Sequence, residues 1–220
     1  IDLAENNILN LGLLEVISAL EDKTCQIREI DFNYLEQLLK GFDKTLVSLM
    51  HVNNEVGNLL DLERTASLCK ANNALLHTDS VQSIGHYTID LSKIPVDFLA
   101  ASAHKFHGPK GVGFAFIRKN SGVKPLIIGG EQERGLRAGT ESIHNIIGLE
   151  SALNFAYANL EEESNYIQDL KNYFITELKK AIPNVKFNGF SSNQDKSTYT
   201  IVNVALPIHS AKGDMLLFQL

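Results

Sequence analysis

The sequence predicts an α/β fold with a mainly parallel sheet and flanking helices, followed by the start of a smaller α+β domain. Three short apolar runs, residues 45–52, 74–78 and 96–102, predict buried strands. Nearly continuous apolar runs of this length are typical of parallel strands that helices cover on both faces. A helical pattern separates the first two runs, which gives a βαβ unit of about thirty residues.

Helical spacing of apolar residues predicts the elements around these strands. Asp31 and Asp61 are expected N-caps, because a short carboxylate can accept hydrogen bonds from the free amides of a first turn. Pro183 ends the last helix, because proline has no amide to continue it. The predicted helices cover residues 13–20, 31–41, 61–70, 143–157 and 160–182. Two further strands are predicted at residues 112–118 and 199–204, and the first of these is expected to run antiparallel to the sheet.

The domain organisation expected from this order is a large domain over residues 1–160 and the beginning of a small C-terminal domain over residues 161–220. The chain starts at Ile1 instead of methionine and stops within an apolar helical pattern, residues 214–220. We therefore expect the sequence to be a fragment of a longer protein, incomplete at its N-terminus and truncated at its C-terminus.

The composition of the chain bears on its binding partners, its location and its metal content. The chain has 20 lysines and arginines against 26 aspartates and glutamates, a net charge of −6, so neither nucleic acid nor an anionic membrane is expected to bind it. No apolar run approaches the ~20 residues that span a bilayer, and no signal peptide opens the chain, so we expect a cytoplasmic protein. Two cysteines are too few for a disulfide framework or a four-ligand zinc site, and no metal is expected.

Polar residues follow each of the three predicted strands. Asn54 lies beyond the first, Asp79 beyond the second and Lys105 beyond the third. Ligands of open α/β sheets bind outside the carboxyl ends of the strands, so we expect these side chains to face one crevice.

Lys105 and Asp79 suggest a specific chemistry. An amine at a strand end can form a Schiff base with an aldehyde when its surroundings favour the neutral amine. A carboxylate on the neighbouring strand can keep a pyridine nitrogen protonated, as an enzyme that uses pyridoxal phosphate requires. A solvated lysine and a turn aspartate are the ordinary alternatives for the two residues taken singly.

Further polar side chains extend this hypothesis. Gln82 and Asn54 could donate hydrogen bonds to a ring oxygen, and Ser102 and His104 could bind a phosphate. A strand-end serine and a packing histidine are the ordinary alternatives. A loop with four glycines in eleven residues, 129–139, also offers amides, a hydroxyl and guanidinium groups to an anion, unless it is only a solvated charge run. Its polar residues are Glu133, Arg134, Arg137 and Thr140.

Four segments together resemble the cysteine desulfurases of the IscS and NifS type, which are fold-type I pyridoxal phosphate enzymes of the class-V aminotransferase family. The segments are MHVNNEVG (50–57), HTDSVQS (77–83), SAHKFHGPKG (102–111) and ERGLRAGTE (133–141). The resemblance runs in order from about Glu15 to the C-terminus. It implies the large domain of that fold, with pyridoxal 5'-phosphate as the cofactor.

The resemblance also implies roles for single residues. Lys105 would bind the cofactor aldehyde and move the substrate proton, with Asp79 and His104 beside it as further catalytic residues. The implied cofactor-binding residues are Asn54, Asp79, Gln82, Ser102, Ala103, His104, Lys105 and, reaching the other subunit of a homodimer, Thr140. The implied reaction converts L-cysteine to alanine and passes persulfide sulfur to an iron-sulfur scaffold or another acceptor, for cluster assembly or tRNA thiolation.

The chain departs from the family pattern at several positions. The loop with the nucleophilic cysteine and the arginine that grips the substrate carboxylate both fall beyond Leu220, so we expect this fragment to be inactive alone. Cys69 and Cys25 lack the expected loop and are interpreted as buried apolar residues. Asn10 takes the position of the histidine that stacks on the cofactor ring, and Glu131 replaces a glycine of the arginine loop.

Two alternatives stay open. One is another enzyme of the same family, such as a selenocysteine lyase, a kynureninase or an aminotransferase. The other is a degenerate, non-catalytic paralogue that acts as a binding module, which Asn10 favours and intact Lys105 and Asp79 oppose. Unpaired strand edges tend to recruit another chain, so the isolated 220 residues are expected to be oligomeric or to need a partner.

Overall fold

The structure is a computed structural model, and it describes residues 7–9, 29–42 and 44–207, with the backbone alone for 7–9. Several expectations fall outside the described residues: the first predicted helix, Asn10, Cys25 and the pattern at 214–220. None of the helices in the described part of the chain is both long and apolar enough to cross a membrane.

A five-stranded sheet, in the order β1-β2-β3-β4-β5, organises the fold. The first four strands are parallel neighbours, and β5 runs antiparallel to β4. The mainly parallel sheet and the antiparallel fifth strand confirm the sequence prediction, whereas β1 was not predicted. The strands are β1 (Asn7–Leu9), β2 (Thr45–Met50), β3 (Leu75–Asp79), β4 (Phe98–Ser102) and β5 (Gly113–Ile117).

The helices agree with the predicted ones. Asp31 caps the first, its carboxylate accepting from the amides of Asn33 and Tyr34 at 2.9 and 3.0 Å. Asp61 caps the second through the amide of Arg64 at 3.0 Å. The helices are α1 (Phe32–Lys40), α2 (Leu62–Ala71), α3 (Ile143–Ala158) and α4 (Leu160–Ala181).

The core lies where helices cover the sheet. Val47, Leu76 and Leu99, one from each of three neighbouring strands, are at most 1% exposed. Burying each such side chain stabilises the fold by about 1.5–3 kcal/mol. Cys69 of α2 belongs to the same core, as the sequence predicted, and burial raises the pKa of its thiol to about 12. A thiol in that state is a small apolar side chain and not a nucleophile.

The predicted strand over residues 199–204 is wrong except at its last residue. The strand there, β7, covers only Val204–Ala205 and pairs antiparallel with β6, Lys186–Phe187. Tyr199 is buried, and the amide of Thr198 donates to the carbonyl of Gly57 at 2.8 Å. This segment favours a strand by composition, but its contacts hold it against the loop after β2 instead of in a sheet. The division into domains at residue 160 stays a prediction.

Candidate functional site

The carboxyl ends of β2, β3 and β4 lie side by side, as the sequence predicted, because the three strands are parallel neighbours. In the register, Asp79 pairs with Met50 on one side and with Ala100 on the other. Asp79 is therefore the central polar residue of this edge. Asn54 and Lys105 follow the ends of the two flanking strands within a few residues.

Asp79 is half-buried and fixed at the end of β3. One carboxylate oxygen, Oδ1, accepts from the amide of Val81 at 3.0 Å, and the carbonyl of Asp79 accepts from the amide of His51 at 2.9 Å. The other carboxylate oxygen accepts no hydrogen bond from any described residue. The carboxylate is thus held in place with one oxygen still able to accept a proton or a hydrogen bond from a ligand.

His77 lies two residues before Asp79, on the same face of β3. Burial lowers the pKa of His77, although the nearby Asp79 carboxylate acts in the opposite direction. Its Nδ1 lies 2.8 Å from the hydroxyl of Ser48 on β2. A neutral His77 beneath the strand end leaves the negative charge of Asp79 available to a ligand.

Lys105 lies in a 3₁₀ turn, Ala103–Phe106, directly after β4. The turn is fixed because Ala103 and Phe106 are 0 and 1% exposed. Phe106 packs so closely on Gly85 that a Cβ there would lie 2.5 Å from the Cβ of Phe106. Close packing around its neighbours therefore sets the backbone position of Lys105.

Four of the side chains predicted to bind a cofactor have no partner among the described residues. The ammonium of Lys105, which is half-buried, forms no hydrogen bond or ion pair with any described residue. The same holds across residues 29–42 and 44–207 for the hydroxyl of Ser102, the amide of Gln82 and the ring of His104. An amine, a carboxylate, a hydroxyl and an amide at one sheet edge fit the aldehyde, pyridine nitrogen, phosphate and ring oxygen of pyridoxal phosphate.

Asn54 lies on an exposed loop that its neighbour Asn53 shapes. The Asn53 side-chain oxygen accepts from the amides of Glu55 and Val56, both at 2.9 Å, which is an Asx-turn. The amide of Asn54 donates to the carboxylate of Glu55 at 3.2 Å. The loop geometry is well defined, and Asn54 can exchange this exposed contact for a ligand.

The glycine-rich loop is not brought into this cluster. Thr140 and Arg137 are exposed, and Arg137 donates to the carbonyl of Gly139 at 3.2 Å. No hydrogen bond or ion pair between described residues joins the loop to Asp79 or Lys105. Glu133 and Arg134 have positive φ values of 49° and 57°, so this segment holds unfavourable backbone conformations at the surface.

Four rings near the strand ends were not identified from the sequence. His51 contacts Tyr87, Tyr87 contacts Tyr199, and Tyr199 contacts His86, with centroid distances of 5.9, 5.8 and 5.8 Å. Burial lowers the pKa of His51 to about 4, and its buried Nδ1 has no hydrogen-bond partner among the residues that the structure describes. No local pattern could have shown this cluster, because its members come from three distant segments. The described residues contain no group of three metal-ligating side chains.

Comparisons with known proteins agree with this architecture. The family model described as aminotransferase class-V matches residues 21–218. Cysteine desulfurase IscS of Dictyoglomus turgidum is 42% identical over 165 residues, which cover 75% of this chain and 42% of that protein. The same enzyme of Clostridium botulinum strain Hall is 41% identical over 175 residues, 80% of this chain and 43% of that protein.

Solved structures show the same fold. A NifS-like protein from Rickettsia africae superposes with a TM-score of 0.80 and 31% identity, covering 89% of this chain and 53% of that one. A second NifS-like protein gives a TM-score of 0.79 and 32% identity over 98% of this chain and 62% of that one. The chain spans less than half the length of the two curated relatives named above. These similarities confirm the resemblance found in the sequence, and the chain belongs to the aminotransferase class-V family.

Proposed function

We propose that the full protein is a pyridoxal phosphate-dependent cysteine desulfurase, and that this chain carries its cofactor-binding core. One observation carries the proposal: Lys105 and Asp79 lie at the ends of the adjacent parallel strands β4 and β3. The curated relatives are named cysteine desulfurases, which supports this reaction over that of other class-V enzymes.

Each strand-end residue has a role in this proposal. Pyridoxal phosphate, when bound, supplies an electron sink for the negative charge that develops at the substrate Cα. Asp79 would keep a proton on the pyridine nitrogen. Lys105 would hold the aldehyde carbon until the substrate amine displaces it, and its released amine would then carry the Cα proton. The residues assigned to the ring oxygen are Asn54 and Gln82, and those assigned to the phosphate are Ser102, the backbone of Ala103, and His104.

The substrate and partners are proposed with the activity. The substrate is L-cysteine, and the acceptor of its sulfur is an iron-sulfur scaffold or another acceptor protein. We also propose a homodimer in which Thr140 reaches the phosphate bound by the other subunit. Leu126 and Ile128, beside this loop, are 87 and 88% exposed, which supports an interface there. A cytoplasmic location is also part of the proposal, and the presence of only two cysteines is consistent with a reducing compartment.

The experiment is an absorbance titration of the full-length protein with pyridoxal phosphate, followed by borohydride reduction and peptide mapping. We expect a visible absorbance band that borohydride abolishes, with the reduced cofactor mapped to Lys105. We also expect the protein to form alanine from cysteine. Lys105→Ala should abolish the band, whereas Lys110→Ala, at an exposed lysine five residues further on, should keep it. A folded protein with no band, or with label on other lysines, would contradict the proposal.

A further inference from the structure

His86 connects the lysine segment to a distant part of the chain. Its Nε2 lies 3.0 Å from the carbonyl oxygen of Lys105, and its Nδ1 lies 3.0 Å from the hydroxyl of Tyr199. The imidazole is half-buried and follows Gly85, the residue on which Phe106 packs. Both ring nitrogens are thus engaged by protein groups.

The partners of the ring define its tautomer. A carbonyl oxygen can only accept a hydrogen bond, so Nε2 carries a proton and donates a hydrogen bond to the Lys105 carbonyl. In the neutral ring Nδ1 is then an acceptor, and the hydroxyl of Tyr199 donates to it. That hydroxyl also lies 3.3 Å from the carbonyl of His86. The two hydrogen bonds of the ring form a bridge from Tyr199 through His86 to Lys105.

Tyr199 is a firm anchor for the bridge. It is buried, and burial raises the pKa of its phenol, so the hydroxyl keeps its proton. The preceding residue, Thr198, is fixed twice: its amide donates to Gly57 at 2.8 Å, and its carbonyl accepts from the buried ammonium of Lys171 at 2.6 Å. The bridge therefore ties Lys105 to a rigid point that lies far along the chain.

The bridge acts on the backbone of Lys105 and leaves its amine free. A hydrogen bond to the carbonyl of Lys105 fixes the peptide plane that follows its Cα, and hence the direction of its side chain. The ammonium has no partner among the described residues that could aim it instead. A displacement of 1 Å at a reacting group can lower a rate by about 10²-fold.

We propose that His86, held by Tyr199, is a positioning residue that orients Lys105 toward the cofactor aldehyde. The inference rests on the proposed function for the identity of the aldehyde. The tautomer of His86 and its bond to Lys105 do not depend on that function.

The first test is an imidazole ¹⁵N spectrum of the full-length protein at a pH where the ring is neutral. His86 is expected as the Nε2–H tautomer, and Tyr199→Phe should shift the Nδ1 resonance. Tyr157→Phe is the matched control. Tyr157 lines the same pocket as His86 and Tyr199, but its hydroxyl donates to the carbonyl of Tyr87 and accepts from the amide of Gly85. A wild-type Nδ1–H tautomer would overturn the proposal, whether or not the protein binds pyridoxal phosphate.

The second test is the rate at which pyridoxal phosphate adds to Lys105. Tyr199→Phe and His86→Leu should lower this rate about tenfold, a part of what a 1 Å displacement costs. His86→Gln, which keeps a donor, should recover most of the loss, and Tyr157→Phe should change little. Labelling of Lys105 by trinitrobenzenesulfonate should stay within about twofold throughout, because a small reagent needs access but not orientation.

The outcomes separate the two proposals. Equal addition rates in wild type, Tyr199→Phe and Tyr157→Phe would overturn the positioning role while leaving the proposed function intact. Failure of the wild-type protein to bind pyridoxal phosphate would remove the proposed function. The positioning role would then be decided by hydrogen exchange over residues 103–108, which Tyr199→Phe, but not Tyr157→Phe, should accelerate at least about tenfold if the bridge holds this turn.

Discussion

The strand-end cluster and the glycine-rich loop both carry polar residues that the sequence assigned to one cofactor, yet they differ in how they are held. Asp79 and Lys105 are half-buried at the edge of a packed sheet, and buried neighbours such as Phe106 set their backbones. The loop residues Arg137 and Thr140 are exposed, and apolar side chains beside them face outward. The strand-end cluster is therefore the rigid half of the predicted cofactor site, whereas the loop is an exposed surface of the kind that the proposed dimer would cover.

The largest expected effect is on catalysis at the rigid half. Asp79→Asn keeps an oxygen for the amide of Val81 but cannot hold a proton on the pyridine nitrogen. We expect the rate of alanine formation by the full-length enzyme to fall about 10²- to 10⁴-fold. Asp90→Asn, at an exposed turn, should leave the rate unchanged. An Asp79→Asn enzyme with near wild-type turnover would show that the strand end is not the reacting centre.

The next effect concerns assembly at the loop. Ile128→Asp places a charge on an apolar side chain that is 88% exposed in the single chain. Both subunits of the proposed homodimer carry the change, so a loss of about 1.5–3 kcal/mol for each buried side chain weakens the dimer roughly 10²- to 10⁴-fold. Sedimentation equilibrium measures this constant. If Ile128→Asp dimerises as tightly as Tyr173→Ser, a control at a 67% exposed residue of α4, the interface lies elsewhere.

Two glycine substitutions compare the rigidity of the regions directly. Gly85 and Gly135 have φ values of +82° and +78°, so alanine strains the backbone similarly at both. Only at Gly85 does the new Cβ also meet Phe106, whereas nothing lies within 4 Å at Gly135. We expect Gly85→Ala to lower the free energy of unfolding by about 1–3 kcal/mol more than Gly135→Ala. Equal losses in urea titrations would contradict the packing described for the lysine turn.

The smallest expected effect is a pH dependence at Lys171. Burial lowers the pKa of this lysine from its ordinary value of 10.5 to about 8. Between these two values the unfolded chain binds more protons than the folded one, so the free energy of unfolding rises with pH in this window. The rise relative to Lys171→Met should be about 1–3 kcal/mol. Lys70→Met, at an exposed lysine, is the control and should leave the pH dependence of the free energy of unfolding unchanged. If Lys171→Met also leaves it unchanged, the Lys171 ammonium is solvated.

Local signals explain what could be predicted from the sequence. The strands β2, β3 and β4 are apolar runs, and the caps Asp31 and Asp61 directly precede helices. Asp79 is the last residue of β3, and Lys105 follows β4. Each of these features is contained within a few neighbouring residues. The helix between β2 and β3 favours the parallel pairing of these two strands that the structure shows.

Long-range pairing explains what could not be predicted. β1 is only three residues long and is defined by its pairing with β2. Tyr199 lies in a segment with high strand propensity, but its hydroxyl bonds to His86, which lies 113 residues earlier. The tertiary contact overrides the local preference at that position. For the same reason neither His86 nor Tyr199 was among the predicted site residues.

The attachment of the loop after β2 to the segment that contains Thr198 also sets an order of events during synthesis. Glu55, Val56 and Gly57 each accept a hydrogen bond from this later segment, through Asn203, Ser191 and Thr198. Roughly 140 residues separate the two segments that make these contacts. At about 5–20 residues per second, their synthesis takes about 7–30 s. Until that segment has been made, the loop that carries Asn54 lacks these three contacts, so this part of the proposed cofactor site is completed late.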